Sequence, residues 1–234
     1  MCNPNNKLAC GFWLATVALF AFAGVLLATY TPTEVTMGPI QKIFYLHLPC
    51  AITTFLACLV CFIASVAFAW QRDGRWDRLA VASARVAVIF CSVVLLTGMI
   101  WGRSAWGQWW TWSPRLTFSL VLWLLYVVYL MIRASIESPQ RRGIVAAVYG
   151  IVAFLDVPLV YLSVRLMPDI HPVSVQLAPE MKLTLAVWFV PVLMLGAGLI
   201  VALYRRENRL AERTRKMVEP LAAPGKMTWI GGAS

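Results

Sequence analysis

Two residue types in this chain have the spacing to do chemistry together. The first is tryptophan: five of the protein's 11, namely Trp101, Trp106, Trp109, Trp110 and Trp112, fall within twelve residues. Tryptophan usually appears singly, as a core filler or an interface anchor, and one or two at a membrane boundary need no account beyond anchoring. Five together exceed that need. With Gly102 and Gly107 between them allowing close backbone approach, they make a flat aromatic surface suited to a large planar ligand. The second type is histidine. There are only two, His47 in Phe44-Tyr-Leu-His-Leu-Pro49 and His171 in Pro168-Asp-Ile-His-Pro172. Neutral imidazole is a common axial ligand of heme iron, and two on opposite faces of the ring would complete a six-coordinate site. Arg103 and Arg115 flank the aromatic stretch and could donate charge-assisted hydrogen bonds to ligand carboxylates. The plainer reading of each is an ordinary interfacial arginine.

The elements that must position these residues are membrane spans. The chain is 61% hydrophobic and only 13% charged, against about a quarter charged in a soluble domain. Its apolar residues come in six blocks, near 10–29, 48–70, 81–100, 116–132, 144–166 and 183–204. Each is about as long as the roughly 20 residues a spanning helix requires. Alternating short strands are absent, which disfavours a barrel, and lipid leaves an open backbone unsatisfied, so helices are what remain. The expected fold is therefore an all-α integral membrane protein with six transmembrane helices. The first block is too long for a signal peptide and lacks a clear cleavage site, so it reads as a retained span.

The net charge of +10 encodes orientation rather than nucleic-acid binding. With both termini cytoplasmic, the inner side holds Lys7, Arg72, Arg75, Arg78, Arg85, Arg133, Arg141, Arg142 and the seven cations from Arg205 to Lys226. That is 15 of the 20, leaving Lys42, Arg103, Arg115, Arg165 and Lys182 outside, as the positive-inside rule expects. The outer connections 30–47, 101–115 and 167–182 then carry both histidines and all five clustered tryptophans, and irregular backbone meets water there. The chain divides into a membrane domain, 1–204, and a basic cytoplasmic tail, 205–234, that starts helical and ends disordered past Pro220 and Pro224.

Other features point less sharply. Cys58-Leu-Val-Cys61 has the spacing of a redox or metal motif, but it lies well inside the second span, where cysteine usually acts as a small hydrophobe. Asp156 is the only charged residue near the middle of a span. A buried membrane carboxylate is a functional candidate; the plainer expectation is a protonated side chain bonded to a neighbouring helix beside Pro158. No phosphate-binding loop of Walker type is present, so any nucleotide hydrolysis belongs to a partner.

The run Trp101-Gly-x-x-x-Trp106-Gly-x-Trp109-Trp110-x-Trp112-x-x-Arg115-Leu-Thr117 resembles the tryptophan-rich WWD signature of heme-handling proteins. Length, six spans and the two flanking histidines resemble, within that group, the cytochrome c maturation protein C (CcmC) family. The resemblance covers most of the chain and includes the Phe-Tyr-x-His-x-Pro entry to the second span and the Pro158-Leu-Val-Tyr-x-Ser-Val lead-in to the second histidine. It implies a protein that holds heme b at the outer face of the bacterial cytoplasmic membrane. His47 and His171 would be the axial iron ligands, and Trp101, Trp106, Trp109, Trp110 and Trp112 the platform at the heme edge. It also implies work beside an ATP-binding cassette subunit (CcmA-like), a second membrane subunit (CcmB-like), a small one-span subunit (CcmD-like) and the heme chaperone CcmE. The chain itself would have no independent catalytic activity. Two departures stand out. Ser113 followed by Pro114 occupies the place of the family's usual Asp, where the hydroxyl is expected to cap the fourth span. Leu166-Met167-Pro168-Asp169 replaces a tryptophan pair often found before the second histidine. Two alternatives remain: a cytochrome c heme lyase, which would ordinarily be much larger with more histidines, and a small-solute permease, which would call for broken helices and polar groups near the midplane.

Overall fold

The computed structural model describes residues 4–35, 37–167, 171 and 176–222. Apart from an isolated bridge between Glu34 and Gly38, the regular elements among them are helices. These are α1 (Pro4–Thr29), a 3-10 turn (Pro39–Ile43), α2 (Phe44–Gln71), α3 (Gly74–Trp106), α4 (Pro114–Ser135), α5 (Pro139–Ala153), α6 (Asp156–Leu166) and α7 (Pro179–Ala222). They supply six stretches long and apolar enough to cross a membrane, with α5 and the start of α6 forming the fifth. The six expected spans are all present.

Most helices outrun the apolar blocks that announced them, because a helix stops at a backbone signal rather than where hydrophobicity ends. At 1.5 Å per residue, the 33 residues of α3 extend about 50 Å, well beyond the roughly 30 Å hydrocarbon core. Its start is set by Asp73, whose carboxylate accepts from the Arg75 N–H at 2.9 Å; that bond and the Arg75 side chain hold the carboxyl below its usual range. Its end is set by Gly107, which takes φ 73° and donates its N–H to the Arg103 carbonyl at 3.1 Å, a left-handed stop that glycine adopts without steric cost. Helix α7 runs unbroken past residue 204 to Ala222. The expected disordered end of the tail falls on 223–234, outside the described residues.

Helices α2 and α3 form the centre of the bundle and pack on one another; α5 and α7 flank α2, α4 and α7 flank α3, and α1 lies on α7. Small residues let the backbones close up, as membrane packing favours. A Cβ added at Gly196 would lie 2.4 Å from Thr53, and one at Gly150 would lie 2.8 Å from the Ser65 Oγ. Cys58 and Cys61 are fully buried in this core beside Tyr126 and Tyr129, and the Tyr126 hydroxyl donates to the Cys58 carbonyl at 3.4 Å. The CxxC spacing thus serves packing.

The end of the bundle away from the histidines is tied by charge. Arg133 on α4 forks onto Asp77 on α3, Arg85 pairs with Glu207, and Arg78 donates to Asn208, the last two joining α3 to α7. The fifth span breaks at Phe154–Leu155, where the N–H groups of Leu155 and Val157 reach back only three residues. Asp156 follows the break, 6% exposed, and its Oδ2 has no hydrogen-bond partner among the described residues. The expected bond to a neighbouring helix is not made by that oxygen.

Candidate functional site

His47 sits in the first turn of α2, delivered there by the Pro39–Ile43 turn. Lys42 holds that turn against α1 through a 3.0 Å bond from its Nζ to the Leu27 carbonyl. The His47 Nδ1 lies 2.8 Å from the Thr97 Oγ1 on α3. The imidazole packs on Gly98, where a Cβ would fall 3.3 Å from its Cε1.

His171 lines the same cavity. Its ring meets Trp101 edge-on, centroids 6.1 Å apart at 77°, and its Nδ1 is 3.5 Å from an Arg115 Nη1. Arg115 also donates to the Tyr161 carbonyl at 3.4 Å. Arg165, one helical turn further along α6, stacks its guanidinium 4.7 Å above the Tyr161 ring, a favourable cation–π arrangement.

These groups line one cavity of about 440 Å³, within the range of about 300–1,000 Å³ for small-molecule and cofactor sites. His47, His171, Trp101, Trp106, Trp110, Arg115 and Arg165 all reach its wall, between apolar side chains such as Phe44, Leu48, Phe55 and Leu122. Trp109 and Trp112 do not; they are 60% and 75% exposed. Arg103 is also off the wall, its guanidinium donating to the Gly107 carbonyl. The tryptophan cluster therefore has two faces rather than one flat sheet. Trp101 and Trp106 lie on the last turns of α3, and only residues beyond Gly107 form the loop. The rings meet at 47° (Trp101–Trp106) and 79° (Trp110–Trp112), consistent with the tilted and edge contacts that aromatic quadrupoles prefer.

Ser113 occupies the N-cap position of α4 with Pro114 in the first turn, as expected. Its hydroxyl makes no capping bond and has no partner among the described residues; only its carbonyl is engaged, by the Thr117 N–H at 2.9 Å. The expected side-chain cap is absent.

The chemistry this arrangement can support is narrow. Among the described residues, no three His, Cys, Asp or Glu side chains gather to hold a metal ion. Two imidazoles are too few for a bare ion, which normally takes three or four protein ligands. They suffice for a metal already held by a macrocycle. The indole N–H groups of Trp101 and Trp110 are buried without acceptors among the described residues. The two arginines on the wall, Arg115 and Arg165, can only donate hydrogen bonds, which suits carboxylates. A planar, metal-centred, acidic ligand fits this set.

Sequence reasoning missed Arg165, Tyr161, Thr97 and Gly98. Arg165 and Tyr161 are four apart on α6, a spacing that places them on one helix face. Thr97 is fifty residues from the histidine it touches, inside an apolar run, and nothing local marks it.

Comparison with known proteins places the chain in a family. The family model described as heme exporter protein C matches residues 3–219. The chain is similar to the heme exporter protein C of Escherichia coli (strain K12), 28% identical over 232 residues and 93% of each chain. It is 29% identical to that of Paracoccus denitrificans over 89% of this chain and 88% of the relative. The Bradyrhizobium diazoefficiens protein is 32% identical over 75% of this chain and 69% of its own length.

Proposed function

The chain belongs to the heme exporter protein C family, and from that premise we propose that it holds heme b between His47 and His171 and delivers it to the heme chaperone CcmE. The family supports heme handling in cytochrome c maturation as one member of a multi-subunit exporter. The observation that carries the reading is that the chain's only two histidines line one aromatic cavity together with two arginines. The bound heme would supply an iron open on both faces. The residues do the rest. The imidazoles of His47 and His171 hold the iron, Trp101, Trp106 and Trp110 wall the ring, and Arg115 and Arg165 take the carboxylates. Trp109 and Trp112, facing outward, are the surface offered to the chaperone.

In this reading the site opens on the periplasmic side of the bacterial cytoplasmic membrane, with both termini cytoplasmic, in keeping with the distribution of lysine and arginine. ATP hydrolysis falls to a CcmA-like subunit beside CcmB-like and CcmD-like partners. A small-solute permease draws support from one observation, the broken fifth span beside Asp156. It leaves the two histidines and the two arginines of the cavity wall without a role. Absorption spectra of the full chain purified from heme-supplemented cells separate the two. A Soret band that shifts on reduction is expected; its absence would favour the permease.

A further inference from the structure

The two histidines meet different partners at Nδ1, Thr97 for His47 and Arg115 for His171. The Thr97 Oγ1 lies 2.7 Å from the Val93 carbonyl and 3.2 Å from that of Val94, donating back along its own helix. A hydroxyl has one proton. With that proton committed to a carbonyl, the oxygen can only accept from the His47 Nδ1 at 2.8 Å. The proton between them therefore belongs to His47, which leaves the Nε2 lone pair bare. Gly98 lets the ring approach α3 closely, since a Cβ there would fall 3.3 Å from the His47 Cε1. The His171 Nδ1 faces the opposite kind of group, a guanidinium that can only donate.

We propose that Thr97 is a positioning residue that fixes His47 as its Nδ1–H tautomer, presenting Nε2 to the ligand's iron and making His47 the pre-set ligand of the pair. This rests on the heme reading above. Partners that donate or accept at the far nitrogen of a ligating imidazole set its tautomer and orientation, and losing one typically costs about 10–100-fold in metal affinity. The neutral Nδ1–H form costs nothing extra once its proton has a fixed acceptor in an apolar wall.

The test uses full-length protein in lipid nanodiscs, with histidine labelled by nitrogen-15. Only two imidazoles contribute signals, and His171→Gln assigns them. In the heme-free protein, His47 is expected to show a protonated Nδ1 and a bare Nε2. Thr97→Val, of nearly the same shape, should shift it toward the Nε2–H form, and Thr97→Ser should restore it. Hemin titration followed at the Soret band should show about 10–100-fold weaker binding for Thr97→Val and near-normal binding for Thr97→Ser. A His47 protonated at Nε2 in the unsubstituted protein, or a tautomer indifferent to Thr97→Val, would overturn the assignment. So would a shifted tautomer with undiminished hemin affinity. If the unsubstituted protein binds no hemin, the heme reading fails on its own, while the nitrogen-15 spectra still decide what Thr97 does to His47.

Discussion

At the scale of single residues, the site divides side chains that looked alike. Arg103, Arg115 and Arg165 are all cations on the same side of the bundle, yet only Arg115 and Arg165 reach the cavity wall, and Arg103 is spent on the Gly107 carbonyl. Arg165→Gln should weaken binding of hemin about tenfold or more while leaving binding of hemin dimethyl ester, which has no free carboxylates, nearly unchanged. Equal losses for both ligands would show that Arg165 acts through packing on Tyr161. Ser113→Ala is expected to leave thermal stability intact, because the hydroxyl makes no capping bond and removing an unsatisfied buried polar group is close to neutral. A drop matching the about 0.5–2 kcal/mol of a lost cap would contradict that. Which tryptophans face the cavity was not legible in the sequence. The cluster was, but the side each ring takes depends on where α3 stops, and Gly107 sets that through its φ.

At the scale of elements, the six spans were readable because apolar length alone decides them. Their ends were not, since helices such as α3 continue through polar and aromatic residues until Asp73 and Gly107 intervene. The partnership of His47 with Thr97 was hidden for a related reason: it joins two helices at a register that neither sequence segment records. The helices are also held at the far end, where Arg133 and Asp77 are only 10% and 16% exposed. Asp77→Ala should destabilise the bundle by about 3–5 kcal/mol by stranding the Arg133 charge, with the Soret band of the folded fraction unchanged. Pairing it with Arg133→Leu should recover most of the loss, as read by thermal unfolding in detergent. Recovery failing in the double variant would mean that the ion pair does more than neutralise itself.

At the scale of the whole molecule, the bundle has a histidine-lined cavity at one end and a charged clamp at the other. The outward rings of Trp109 and Trp112 give the cavity end a second face, so Trp109→Ala with Trp112→Ala should retain heme but slow its transfer to the chaperone. Trp101→Ala and Trp110→Ala should instead lose heme from the purified protein. Identical behaviour of the two pairs would return the cluster to simple anchoring. Ligation by the two histidines is read most directly from the absorption spectrum of the full chain, purified from heme-replete cells, with and without them. The unsubstituted protein is expected to show a Soret band that is weakened by His47→Ala or His171→Ala, partly restored by added imidazole in either, and lost when both are replaced. A double variant that kept the full Soret band would contradict ligation by His47 and His171.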